Sequence, residues 1–206
     1  MNQYLTTLLN TLAIDLEHLT NEYLSSEELK YIDRVLASKQ DFEQPFYTTE
    51  HGNRLEVLLC FLHAHKAEII ALMQGDRETE TLKELYTSSL ISGDYDCFRF
   101  DLSKFPHSYR PTNRTLKLYR VGRDGECKES LGCSWAKDID GLGAYCSASS
   151  ISKSMLESRP VFHIEVDDSE VLFEGNETEH ELVLKPEFKY KKLDNLDDQR
   201  RSQICS

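Results

Sequence analysis

The chain has 206 residues, enough for one large domain or two small ones, and 39% of them are hydrophobic, enough to bury a core. Its 24 basic and 36 acidic side chains give a net charge of −12, which argues against a protein that grips a nucleic-acid backbone by bulk electrostatics. The balance leaves room for a local basic groove, whose candidate residues are Arg110, Arg114, Lys117, Arg120 and Arg123.

The sequence also limits the compartment and the metal chemistry. No apolar run approaches the roughly 20 residues that a membrane span needs, and residues 1–4 lack the basic region of a signal peptide. We therefore expect a cytoplasmic protein that does not bind a membrane. In a cytoplasmic protein we expect the cysteines to be free thiols, and because no two of them form a C-x-x-C pair we expect no metal site. The six cysteines are Cys60, Cys97, Cys127, Cys133, Cys146 and Cys205.

The start of the chain is predicted to be helical. Leucines recur at helical spacing over residues 5–19 and form one apolar stripe. Ser25 and Glu28 fit a capping box, in which the serine caps the helix and the glutamate reaches back to it. The helix that they open carries apolar residues on one face as far as Leu36.

The helical pattern continues to about residue 95. Residues 40–53 are predicted to form a polar loop. A long helix over 55–73 follows, with Gly75 as its stop signal, and residues 81–90 add a short fourth helix. The apolar faces of these helices form a core in the simplest interpretation, and a surface for a partner protein in the alternative one.

From about residue 96 the spacing of apolar residues becomes that of strands. The predicted strands cover 98–102, 116–121, 161–166, 171–173, 181–184 and 188–190, with a further one starting at Ser134. Helices are predicted at 138–147, weakened by Gly141 and Gly143, and at 150–157. The order indicates an α+β fold with a helical region at 1–95 and a second domain at 96–206. The tail over 194–206 is polar and is expected to be mobile at its end.

Two glutamates stand at the start of one predicted strand. Glu179 and Glu181 are two residues apart, so they share one face of a strand, while Leu182 and Leu184 face the other way. Like charges held side by side raise the pKa of one of the two carboxyl groups. On spacing alone, an ordinary solvated strand edge with two surface acids is the favoured explanation of the pair.

Arg120 is a second candidate. It shares a strand face with Leu116 and Leu118, and an arginine on a core-facing edge needs an anionic partner. A diphosphate suits the planar guanidinium, and a structural salt bridge to Asp101 or Glu165 is the alternative. His163, in the strand over 161–166, is expected to face outward.

Ser134 and Trp135 are the third candidate. The serine hydroxyl could orient a neighbouring carboxylate or a ribose, and the indole could pack beneath it. A plain strand end with a buried tryptophan is the alternative.

These pieces together resemble the ADP-ribosyltransferase superfamily of the arginine-serine-glutamate type, in a bacterial and phage branch. Three motifs carry the resemblance. They are Tyr119-Arg120, the Gly-Cys-Ser-Trp of 132–135 with Tyr145 downstream, and the Glu-His-Glu-Leu-Val of 179–183. Their order and spacing agree with the family. The middle motif departs from it, because Ser-Trp-Ala stands where Ser-Thr-Ser is common.

The resemblance covers about residues 98–193 and implies a fold and a reaction. The fold would be a split β-sandwich with a central cleft for NAD, which serves as co-substrate. The reaction would be transfer of ADP-ribose to a macromolecule with release of nicotinamide. A protein acceptor is favoured by the acidic balance, and RNA or DNA stays open. The expected setting is a toxin, held by an inhibitor or antitoxin on the helical region, or a phage protein that acts on its host.

The resemblance also implies a role for each site residue. Glu181 would be the catalytic carboxylate, which stabilises the charge that builds on the ribose, and Glu179 would face the acceptor. Arg120 would contact the NAD phosphates, and Ser134 would order Glu181 and the ribose. Tyr145 would stack on the nicotinamide ring. Tyr119 and Trp135 complete the predicted cofactor-binding set. A binding module without turnover and an NAD glycohydrolase are the alternatives.

Overall fold

The computed structural model describes residues 1–46, 53–91, 97–123, 125–197, 201 and 204. The chain divides into two compact units, Met1–Phe105 and Pro106–Ser206. The predicted domain boundary at 95/96 lies outside the described residues. Helices and an antiparallel sheet are both present, which confirms the α+β class. Among the described residues no helix is long and apolar enough to cross a membrane.

The first unit is built of helices. They are α1 (Gln3–Thr11), α2 (Leu16–His18, continued by a π-helical turn at Leu19–Tyr23), α3 (Ser26–Val35), α4 (Lys39–Glu43), α5 (Asn53–Ala64), α6 (Lys66–Met73) and α7 (Glu78–Tyr86). The capping box at the start of α3 is confirmed, because Ser25 and Glu28 satisfy each other's backbone N–H groups. α4 overlaps the start of the predicted loop 40–53, whose residues 47–52 are outside the described part.

The predicted stripe over 5–19 is not one helix. The chain turns at Ala13, where φ is +53°, and Asp15 caps α2. Ile14 forms a β-bridge with Phe100, and the N–H of Asp15 donates to the carbonyl of Arg99 at 2.8 Å. This bridge is the only strand-like pairing that the described part of 98–102 makes, so the strand predicted there is wrong.

The segment around Phe100 is instead an aromatic part of the helical core. The rings of Phe61, Phe98 and Phe100 lie edge to face, with centroids 5.2 to 6.2 Å apart. Phe105 packs against Phe100 at 5.8 Å. The long helix predicted over 55–73 breaks at His65, whose Nε2 lies 2.7 Å from the hydroxyl of Ser88.

The second unit holds one sheet, flanked by helices. Its elements are β1 (Thr115–Val121), β2 (Ser134–Ala136), α8 (Ile139–Ala148), α9 (Lys153–Ser158), β3 (Val161–Asp167), β4 (Val171–Glu174), β5 (Glu181–Leu184) and β6 (Tyr190–Asn195). The described strands are all antiparallel to their neighbours, in the order β4-β5-β2-β1-β3-β6. The last strand begins where the predicted one at 188–190 was expected to end.

The sheet almost divides between β1 and β2. These strands share a single register pair, Tyr119 with Ala136, whereas β1 and β3 are paired along their whole length. Apolar side chains fill both faces because successive residues point to opposite sides. One face holds Leu118 and Trp135, and the other holds Val121 and Ala136 beneath α8.

The tail of the chain joins this second unit. Leu196 and Ile204 are each only 5% exposed and belong to the apolar cluster beneath α8. The expectation of a polar, mobile tail is therefore wrong for these residues, because each buries an apolar side chain.

Candidate active site

A pocket lies where β1 and β2 separate. It is lined by residues 119–121 and 134–136, by Leu142 and Tyr145 of α8, and by Glu179 and Glu181. All seven site residues predicted from the sequence therefore line one pocket. Its empty space, including the open solvent at its mouth, is about 290 Å³.

Glu181 is held in the pocket by two hydrogen bonds. It opens β5, which pairs with β2 so that Ser134 is opposite Val183 and diagonal to Glu181 on the same face. The hydroxyl of Ser134 donates a hydrogen bond to Oε1 of Glu181, and the N–H of Asn176 donates to Oε2 at 2.8 Å. Glu181 is 9% exposed, so its carboxylate is fixed in one orientation.

Glu179 reaches the pocket by a turn and not by strand alternation. β5 begins at Glu181, and His180 before it adopts a left-handed conformation with φ of +47°. The prediction that the two glutamates share one strand face is therefore wrong, although both side chains line the pocket. Burial, together with the nearby charge of Glu181, raises the pKa of Glu179 to about 7.

The turn over residues 177–180, which carries Glu179 and is called the glutamate turn below, is held by the residues at the start of α8. Asp138 caps the helix by accepting a hydrogen bond from the N–H of Gly141 at 2.8 Å, and its carboxylate also lies 2.9 Å from Nδ1 of His180. Burial acts to raise the pKa of Asp138, but the Gly141 N–H and His180 outweigh it and hold the pKa below its usual value.

Gly141 has a structural reason to be glycine. A Cβ atom there would overlap the carbonyl oxygen of Glu179 and the side chain of His180. The sequence had marked this glycine as weakening the helix over 138–147. The helix forms nonetheless, and the missing side chain lets the glutamate turn lie directly against it.

Arg120 forms a salt bridge, the alternative considered from the sequence, but with an acid that the sequence did not identify. Its Nε and Nη2 donate to the two carboxylate oxygens of Glu126 at 2.7 and 3.0 Å, and its Nη1 donates to the carbonyl of Ser134 at 2.8 Å. Asp101 and Glu165, the partners considered from the sequence, are not the acid in this pair. Glu165 lies 3.8 Å from the ammonium group of Lys117 instead.

The aromatic residues divide between core and pocket. Trp135 is 1% exposed, and its indole N–H donates to the carbonyl of Gly132 at 2.8 Å. The indole is therefore largely a core group, although Trp135 also lines the pocket, and its place in the cofactor-binding set stays a prediction. Tyr119 and Tyr145 are only partly buried and line the pocket.

His163 does not face outward as expected. It is 8% exposed, and its ring stacks on that of Tyr119 with centroids 5.2 Å apart. Burial lowers the pKa of His163, despite the nearby charges of Asp194 and Glu165. The stacked imidazole supports the tyrosine from behind the pocket.

The candidate basic groove is largely neutralised. Besides the Arg120 pair, Nε of Arg114 lies 3.8 Å from the buried carboxylate of Asp168, and Lys117 lies beside Glu165. Three of the five basic side chains proposed for the groove thus have acidic partners. Within the part of the chain that the structure describes, no group of His, Cys, Asp and Glu side chains could hold a metal ion.

Three residues that hold the site side chains in place were not identified from the sequence. They are Glu126, which pairs with Arg120, Asp138, which contacts His180, and Asn176, which donates to Glu181. Glu126 lies in an irregular loop six residues after Arg120, where no period links the two. His180 lies inside the Glu-His-Glu-Leu-Val motif, but the sequence analysis assigned it no role.

Comparison with protein-family models, with curated proteins and with solved structures finds no match to this chain.

Proposed function

We propose that the protein is a mono-ADP-ribosyltransferase that uses NAD as co-substrate. The observation that carries the proposal is the hydrogen bond from Ser134 to the buried carboxylate of Glu181, beside a second carboxylate in a pocket with two tyrosines. This arrangement suits a ligand with a cationic ring and a ribose hydroxyl group.

The chemistry follows from the two carboxylates. As the bond between C1′ of the ribose and the ring nitrogen breaks, its electron pair leaves with nicotinamide and positive charge builds on the ribose. Glu181, held by Ser134 and the Asn176 N–H, stabilises that charge without having to reorient. The acceptor then bonds to C1′ and gives up its proton. Glu179, with a pKa of about 7, is suited to take it.

The near-division of the sheet supports the split arrangement that the resemblance implies. Three strands lie on each side of the single Tyr119–Ala136 register pair, and the pocket is at that junction. We propose that this junction is the NAD cleft. The pairing of Arg114, Lys117 and Arg120 with acids favours a protein acceptor over a nucleic acid.

The test is nicotinamide release from labelled NAD by the purified full chain in the presence of a cell lysate. Glu181→Gln keeps the size of the side chain and a hydrogen-bond acceptor but loses the charge. We expect it to lower the rate of nicotinamide release by about 100-fold or more. Glu177→Gln, an exposed glutamate in the adjoining turn, is the matched control and should keep the wild-type rate.

The fate of the label separates the alternatives. Label on protein bands supports the proposal, and label on ribonuclease-sensitive material names RNA as acceptor. Release of free ADP-ribose alone identifies an NAD glycohydrolase. NAD binding without release at any concentration identifies a binding module and overturns the enzymatic proposal.

A further inference from the structure

The ion pair of Arg120 takes up the positive charge that a diphosphate would need. Each of the three guanidinium nitrogens already has an acceptor, two of them on Glu126 and one on the carbonyl of Ser134. The side chains of Arg120 and Glu126 are only 15% and 6% exposed, so the pair is shielded from water.

Glu126 is itself held by the loop. Its carboxylate accepts hydrogen bonds from the N–H groups of Arg123 and Gly132, each at 2.9 Å. Burial acts to raise the pKa of Glu126, but the hydrogen bonds and charge of Arg120 and the two N–H groups lower it below its usual value. The carboxylate is therefore ionised at neutral pH, and the pair is neutral as a unit.

Moving Arg120 toward a diphosphate would leave this buried carboxylate without its counter-charge. Removing one partner of a buried ion pair is strongly unfavourable. A Cβ atom at Gly132 would overlap the guanidinium, so the backbone also packs closely around Arg120. We therefore expect the ion pair of Arg120 and Glu126 to remain intact when a ligand binds.

The other polar and aromatic side chains of the pocket favour a cation over an anion. The carboxylates of Glu179 and Glu181 and the rings of Tyr119 and Tyr145 attract a cationic aromatic group.

We propose that the pocket recognises the cationic nicotinamide–ribose half of NAD, and that Glu126 is the specificity-determining residue that withholds Arg120 from the diphosphate. The inference rests on the proposed function, because it concerns how that same pocket selects its substrate. The ligand class is a positively charged N-glycoside of nicotinamide, with or without the adenylate half.

Calorimetric titration of the full chain with three probes tests the selection. Nicotinamide riboside carries the cation alone, ADP-ribose carries the diphosphate alone, and NAD carries both. For the wild-type protein we expect riboside and NAD to bind within about tenfold of each other, and ADP-ribose to bind about 100-fold more weakly than NAD.

Glu126→Gln tests the role of the glutamate. The amide keeps an acceptor for the Gly132 N–H but removes the charge that neutralises Arg120. We expect ADP-ribose to bind about tenfold more tightly to this variant, with riboside unchanged. Glu129→Gln, an exposed glutamate of the same loop, is the matched control and should alter neither affinity. Thermal melting checks that both variants fold, and the wild-type ranking decides the question if Glu126→Gln does not.

Two results would overturn the inference, and they differ in what they leave standing. If ADP-ribose binds the wild type as tightly as NAD while riboside binds about 100-fold more weakly, the diphosphate is the recognised half and only this inference fails. If neither riboside nor NAD binds and no nicotinamide is released, the proposed function fails with it.

Discussion

Glu179 shows how one side chain links the stability of the protein to pH. Its carboxyl group is partly buried beside the charged Glu181, and its pKa is raised to about 7 from an ordinary value near 4.5. Because the folded state favours the protonated form, the folded state gains from this group at low pH. That gain is fully present below the unfolded pKa and is lost as the pH rises through 7.

We expect Glu179→Gln to remove this dependence, because the amide is neutral at every pH. Urea unfolding between pH 4.5 and 8 measures the free energy of unfolding of both proteins. As the pH rises, this free energy should increase by about 1–2 kcal/mol in the variant relative to the wild type, after allowance for solvent screening. The gain should level off above pH 7. The exposed Glu177→Gln should follow the wild type throughout, and a constant difference for Glu179→Gln would contradict the raised pKa.

At the level of elements, the helix α8 fixes where the glutamate turn lies. The N–H of Lys137 donates to the carbonyl of His180 at 3.0 Å, and Asp138 binds the His180 ring just before the helix begins. Because Gly141 has no side chain, the backbone of the turn packs directly against the helix at that residue. The position of Glu179 is therefore a property of helix and turn together.

Gly141→Ala should push the turn away from the helix. The overlap with the Glu179 carbonyl costs about 1–3 kcal/mol, partly offset by roughly 1 kcal/mol of better helix propensity. We expect a modest net loss of stability and a lower pKa for Glu179, because a displaced carboxyl group is better solvated. Titration of the Glu179 carboxyl group by NMR measures the second effect.

Gly143→Ala provides the comparison, since its Cβ would lie 2.9 Å from the carbonyl of Ile204 and not against the turn. This variant should leave the Glu179 titration unchanged. Equal shifts in both variants would show that α8 does not position the turn in the way described.

The elements also show what the sequence could and could not predict. Alternation of apolar and polar residues predicted β1 and β5, because these strands depend on a local period. The contact of Ser134 with Glu181 was implied by the resemblance, and the pairing of β2 with β5 provides it. The left-handed His180 and the Glu126 contact depend on tertiary packing, which leaves no period in the sequence. The segment around Phe100 has strand-like alternation, but its rings are more stable within the helical core.

On the scale of the whole molecule, the two units differ in charge and each has its own core. Residues 1–105 hold 9 of the 24 basic and 18 of the 36 acidic side chains, so most of the net charge of −12 belongs to the helical unit. An inhibitor that docks on this unit, as the resemblance implies, would need a basic surface. Trp135, the single tryptophan of the chain, is buried in the second unit, so its fluorescence reports on the folding of that unit.

We expect core substitutions to act on the unit that contains them. Phe61→Ala should destabilise the helical unit by about 3–5 kcal/mol, seen by circular dichroism, while the urea transition of Trp135 fluorescence stays in place. Phe173→Ala, at an equally buried position in β4, should move the fluorescence transition to lower urea by a similar free energy. A shift of the Trp135 transition by Phe61→Ala would mean that the units unfold together.

The glycines around the pocket have a consequence for how this protein tolerates variation. At Gly132, Gly141 and Gly175, the first side-chain carbon of any other residue would overlap Arg120, the Glu179 backbone and the Glu181 carboxylate, respectively. A saturation mutagenesis map should therefore show substitutions at these positions as depleted, with alanine at Gly141 better tolerated than larger side chains. Such a map would outline the pocket from positions that carry no functional group, and would do so before any ligand is known.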